Sequence, residues 1–192
     1  MRLFSALVLA AAVSSPVFAQ QAAPAAPATP PAPGFTLSST SFEDGGILAD
    51  KYSQKATAFV SPELEWKNVP AGTVSYTLIA HDLDVAPRKN VMDITHWIAV
   101  NIPAATMSLP EGYGAATATL PDGTVQPKNQ RGTPGYLGPG AGAQGPYHHY
   151  AFELYALDTK LTLTPDATRA EVLAAMEGHV VGKAVTSVRF HR

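Results

Sequence analysis

The chain has 192 residues, 46% of them hydrophobic and 15% charged, with a net charge of −2; that is enough for one domain with a real core. The near-neutral balance and the lack of a long basic run argue against nucleic acid as the main partner. Cysteine is absent, which excludes disulfides, thiolate metal sites and a lipid-modified cysteine.

Residues 1–19 read as a secretory signal peptide. Arg2 gives a short positive start, Leu3 to Val13 is apolar, and Val17-Phe18-Ala19 places small residues where a signal peptidase reads them. The apolar run falls short of the roughly 20 residues that a bilayer span needs. Cleavage after Ala19 would export the mature protein, to the periplasm in a Gram-negative cell. Residues 20–34 are almost only Ala, Pro, Gln and Thr, a composition that cannot offset the entropy of ordering. They are expected to form a disordered tether ahead of a single domain at 35–192.

Phe35-Thr36-Leu37-Ser38-Ser39 alternates and opens that domain as a strand. Asp44-Gly45-Gly46 signals a turn, and Ser61 to Trp66 is extended, with Pro62 suited to a strand start or an edge. A turn at Val69 to Thr73 leads into a stronger run. Val74, Tyr76, Leu78 and Ala80 alternate with Ser75, Thr77 and Ile79, which predicts a strand with one face on a core. The strand stops at the polar turn His81-Asp82-Leu83-Asp84-Val85-Ala86-Pro87. In the next strand Ile94, His96, Ile98 and Val100 alternate with Thr95, Trp97, Ala99 and Asn101, so parity puts His96 on the apolar side with Ile98. A titratable group there needs a buried partner or lines a pocket mouth.

Residues 104–146 are rich in Gly and Pro and poor in large apolar residues. Such a loop is expected to be exposed, and functional or mobile. It leads into a strand in which His148 shares parity with Tyr150, Phe152, Leu154 and Ala156, while His149 points the other way. Thr168 with Glu171 forms a capping box for a helix through Val172, Leu173, Ala175 and Met176, ending near Gly178. A strand from Ala184 to Phe190 closes the chain. The sum is mostly β and antiparallel, with one helix near the C-terminus.

Asp82, Asp84, His96, His148 and His149 all fall at strand ends or beside them. Three groups of residues here resemble the signatures of the phosphatidylethanolamine-binding proteins: Asp82-Leu83-Asp84-Val85-Ala86-Pro87, then His96-Trp97, then Gly138-Pro139 with Gly145-Pro146-Tyr147-His148-His149-Tyr150. Ser61 to Trp66 and Glu153 to Asp158 look like the bacterial YbhB/YbcL, or Raf-kinase-inhibitor-like, branch. The resemblance implies an antiparallel β-sandwich, with a large central sheet and a smaller second one. It implies a pocket for phosphate, phosphorylated head groups or carboxylates, lined by Asp82, His96 and His148, with Tyr150, Pro87, Gly138 and Pro139 close by. Asp84 reads either as a turn former or as a residue behind these, His149 by strand alternation faces solvent or stands behind them, and Trp97 and Trp66 read mainly as packing. A cis peptide at Ala86-Pro87 is also implied. Two departures stand out: Leu83 replaces a usual proline, with one extra residue before Pro87, and a usual Gly-Pro-x-Pro-Pro run reads Gly138-Pro139-Gly140-Ala141-Gly142. Both predict a looser pocket rim.

The chemistry suits anion binding. Histidine can carry a proton near neutral pH, and an aspartate beside it orients the ring and favours its charged form. There is no Gly-x-Ser-x-Gly elbow, cysteine nucleophile or phosphate-loop lysine. Asp82, His96 and His148 could make a two-histidine, one-carboxylate metal set, but no His-x-x-x-His or His-Glu-x-x-His supports it, and neither metal nor other cofactor is expected. The leading expectation is a non-catalytic exported protein binding a small anion. The alternatives are a regulator of the protease- or kinase-inhibitor type that meets a protein through residues 104–146, and a weak hydrolase.

Overall fold

The computed structural model describes residues 33–85, 91 and 93–192. The expected signal peptide, most of the expected tether and the Ala86–Pro87 bond lie outside the described residues. The strands are β1 (Thr36–Ser38), β2 (Gly46–Ile47), β3 (Leu64–Lys67), β4 (Ser75–Asp82), β5 (Ile94–Pro103), β6 (Ser108–Leu109), β7 (His148–Leu157) and β8 (Val180–Phe190). Among the described residues there is one α-helix, α1 (Arg169–Met176), which precedes β8. Two sheets form, ordered β1-β3-β6 and β2-β8-β7-β4-β5. Every pairing is antiparallel except the short parallel contact of β2 with β8. The expected sandwich of a larger and a smaller sheet is therefore present.

The main core joins the two sheets. Leu37, Leu64, Trp66 and Leu109 from the small sheet meet Tyr76, Leu78, Trp97, Phe152 and Leu154 from the large one. Trp66 stands edge-on to Tyr76 at 5.1 Å. Burying each such side chain stabilises the fold by about 1.5–3 kcal/mol. A second cluster covers the other face of the large sheet. Ile79, Ile98 and Val100 pack beneath Leu157, Leu161 and α1's Val172 and Met176. All of β4 is consequently buried, not one face of it, while Val74 lies outside the strand and exposed. Thr168 and Glu171 make the predicted reciprocal cap of α1. Gly178 follows the helix with φ +82°, a conformation that costs glycine least.

Residues 104–146 form only in part the exposed loop that their composition suggests. They lie along the outer edge of β5 and satisfy its backbone. Val125 exchanges both hydrogen bonds with Val100 at 2.8 and 3.0 Å, Gln130 donates to the Thr95 carbonyl at 2.9 Å, and Leu137 donates to that of His96 at 2.8 Å. Covering a sheet edge in this way removes unpaired polar groups. Within the segment Thr124, Gln126, Asn129 and 135–139 are buried, while 115–117, 121–123, 130–133 and 142–146 are exposed.

Candidate functional site

Asp82 ends β4, and its backbone pairs with Tyr150 of β7 and Ile94 of β5. Adjacent antiparallel strands thus bring the three sequence signatures to one end of the large sheet. The position of His96 depends on a β-bulge. Ala80 pairs with Trp97 and His81 with Thr95, so His96 is the extra residue in β5. The bulge turns it away from the side of Ile98 that parity assigned to it. Its ring stands edge-on to Tyr150, 5.1 Å between centroids. Re-aiming a side chain beside a site is a recurrent use of bulges.

Asp82, His96, His148 and Tyr150 line one cavity of about 300 Å³. Asp82 is buried, and its Oδ1 accepts from the Asp84 backbone N–H at 2.9 Å. Its Oδ2 lies 2.8 Å from His148 Nδ1. His96 Nδ1 lies 2.7 Å from the Leu137 carbonyl. Carboxylates and carbonyls only accept, so both Nδ1 atoms carry a hydrogen, an assignment made from their partners. Each ring is left with Nε2 for other contacts, and that atom donates only when the ring is cationic. Burial, above all, pulls the pKa of His96 below its ordinary value; the Leu137 carbonyl and Asp82 charge offset this only in part. The neighbouring aspartate therefore does not dominate His96 as the sequence suggests. Burial pushes the Tyr150 phenol up, with Asp82 adding to the shift.

The remaining candidates fall elsewhere. Asp84 holds His149 on the outside, accepting from its backbone N–H at 2.6 Å and facing its Nδ1 at 3.0 Å. The first of these contacts leads in lowering the pKa of Asp84. Neither residue is among those lining the cavity. Trp97 is fully buried and donates to Gln126 Oε1 at 2.6 Å. Pro87 lies outside the described residues. Gly138 and Pro139 sit behind the wall, their carbonyls accepting from Gln54 Nε2 at 2.7 Å and Gln54 N at 2.9 Å. A Cβ on Gly138 would come within 2.8 Å of the Tyr52 carbonyl, so close packing requires glycine there. Ala141, in the Gly138–Gly142 part of the rim, makes two hydrogen bonds. Arg192 N–H donates to the Ala141 carbonyl at 3.2 Å, and Ala141 N–H to the Tyr150 hydroxyl at 3.3 Å.

Sequence reasoning missed Gln54 and Arg131, which also line the cavity and bond to each other, Arg131 Nη2 donating to Gln54 Oε1. One signal was present for Arg131. Residues 104–146 contain two basic side chains, and the other, Lys128, pairs with Asp166. Among the described residues no set of three His, Cys, Asp or Glu is arranged to hold a metal, and no helix is long and apolar enough to cross a membrane.

The fold and this cluster define a two-sheet ligand-binding class, and the comparisons agree. The sequence profile described as "Phosphatidylethanolamine-binding protein" matches residues 38–191, and the chain belongs to that family. Within it the chain falls in the YbhB/YbcL branch. Escherichia coli YbhB, a UPF0098 protein, is 33% identical over 159 residues, 81% of this chain and 91% of its own. The crystal structure of E. coli YbcL matches with a TM-score of 0.73 at 29% identity, over 83% of this chain and 99% of that one. A UPF0098 protein of Methanothermobacter thermautotrophicus is 44% identical over 148 residues, covering 77% of this chain and 93% of its own.

Proposed function

We propose that this protein is an exported, non-catalytic binding protein that takes phosphate, a phosphorylated head group or a carboxylate in the cavity of Asp82, His96, His148 and Tyr150. The observation that carries this reading is the tethering of both imidazoles through Nδ1, to Leu137 and to Asp82. It leaves two Nε2 atoms on one small cavity, and once protonated both are donors to an anion. Binding without turnover fits the same geometry. The hydroxyl lining the cavity is that of Tyr150, held in its protonated and weakly nucleophilic form by its raised pKa. Calorimetric titration with phosphate, phosphoethanolamine and acetate tests the reading. Binding of at least one anion is expected, lost in the double variant His96→Ala/His148→Ala. Failure of every anion to bind would refute it.

Export rests on the signal-peptide pattern of residues 1–19 and on a relative, the Mycobacterium tuberculosis protein LppC, whose name classes it with lipoproteins; it is 34% identical over 160 residues. Mass spectrometry of the fractionated protein should find Gln20 at the N-terminus. A regulator that meets a protein target through residues 104–146 is the second reading, and of their exposed stretches 142–146 lies beside the cavity. Capture of a target that survives the double histidine variant but fails when 142–146 are replaced would favour it.

A further inference from the structure

A second cavity of about 520 Å³ adjoins the first, and Arg131 and Leu137 line both. We propose that the two form one site, whose ligand is a phosphomonoester carrying an apolar organic group. The phosphate lies among His96, His148 and Arg131, and the organic group runs over Leu137 into the second cavity. This inference rests on the anion reading above and names the ligand class for it.

Three observations point this way. First, the second cavity offers apolar walls among polar ones, since Thr57, Ser61, Asn129 and Thr133 line it as well. Phe59, Val60, Ala116, Pro134 and Tyr136 line it, and Phe59 stands edge-on to Tyr136 at 6.2 Å. Among the described residues that line it, Arg131 is the one with a charge. A chamber with aromatic and aliphatic walls, and a cation at its junction with an anion site, matches an anion that carries an organic group and not a bare one.

Second, Arg131 is available to such an anion. Among the described residues no carboxylate pairs with it; its guanidinium donates to the neutral Oε1 of Gln54. Gln54 is itself fixed by Gly138 and Pro139. A guanidinium has five N–H donors in a planar fork, so it can keep Gln54 and still offer an edge to phosphate. Charge-assisted bonds of that kind are roughly twice as strong as neutral ones.

Third, the donors count as a monoester requires. Two Nε2 atoms and one guanidinium answer three terminal oxygens, and the fourth oxygen carries the organic group out of the first cavity. A phosphodiester or a carboxylate presents only two unsubstituted oxygens. Joined, the cavities of about 520 and 300 Å³ stay within the roughly 300–1,000 Å³ of typical ligand sites.

Calorimetry with inorganic phosphate and phenyl phosphate tests this on the mature chain. Phenyl phosphate is expected to bind the native protein at least about tenfold tighter than inorganic phosphate. Ala116→Trp places a bulky ring at an exposed position of the second cavity. It should abolish that advantage while leaving the affinity for inorganic phosphate within about twofold. Ala58→Trp, at another exposed lining position, should do the same and guards against misfolding of the first variant. If phosphate binds and phenyl phosphate binds no tighter, or if both tryptophan variants keep the advantage, this inference fails and the anion reading stands. Binding of neither compound overturns this inference, and overturns the anion reading too if acetate and phosphoethanolamine also fail to bind.

Discussion

Anion affinity should fall steeply as the pH rises. Nδ1 of His96 must keep its hydrogen for the Leu137 carbonyl, 2.7 Å away, so Nε2 donates to an anion only after the ring gains a second proton. Burial holds the pKa of this ring below its ordinary value near 6.5, so the free protein carries it neutral at pH 7.5. Binding must then bring the proton with it. For each ring that takes one up, affinity weakens about tenfold per pH unit, or about 1.4 kcal/mol. Acetate is the cleanest probe, because it stays ionised from pH 6 to 8. Titration in buffers of different ionisation enthalpy counts the protons directly. Uptake of at least one is expected at pH 7.5, and His96→Gln, whose amide donates without a proton, should lower the count by one. A dissociation constant that does not change from pH 6 to 8, with no proton uptake, would refute the tautomer argument.

The same burial has a consequence for the unliganded fold. The folded pKa of His96 is depressed, so its contribution to stability is present above about pH 6.5 and lost as pH falls toward the folded pKa; His96→Gln should flatten that part of the urea-melting profile. Trp97→Phe leaves the buried Oε1 of Gln126 without its donor and should cost about 1–3 kcal/mol in urea unfolding. Asn101 has φ +61°, and its side chain both donates to the Leu161 carbonyl and accepts from its N–H. Asn101→Gly restores the backbone but not the two bonds, so it should still lose about 1–2 kcal/mol, and Asn101→Ala more. Gly138→Ala forces a Cβ against the Tyr52 carbonyl at 2.8 Å, backbone on backbone. It should lower the melting temperature by several degrees, corresponding to about 1–3 kcal/mol.

The strands and the capped helix were legible because each is a local pattern. Alternation marked β4, β5 and β7, and Thr168 with Glu171 marked α1. Alternation could not show that β4 is covered on both faces, since Ser75 and Thr77 look solvent-facing in sequence and are buried. Nor could it show the bulge: parity counting assumes an unbroken ladder, and one inserted residue reverses every assignment beyond it. His96 was identified as a site candidate by its motif while its predicted direction was wrong. Residues 104–146 misled in part, for another reason. Gly and Pro report backbone freedom and not burial, and the hydrogen bonds to β5 are long-range. Arg131 reaches the cavity only through that docking.

The two halves of the cavity wall are made differently. Asp82, His96 and His148 stand on strands whose ladders span the large sheet, and their backbones share its rigidity. Gln54, Arg131 and Ala141 come from connecting segments. Evolution can therefore retune what enters by rewriting the second group, at little risk to folding, while the first stays put. One scaffold could in this way serve many compounds with the same charged end and different bodies.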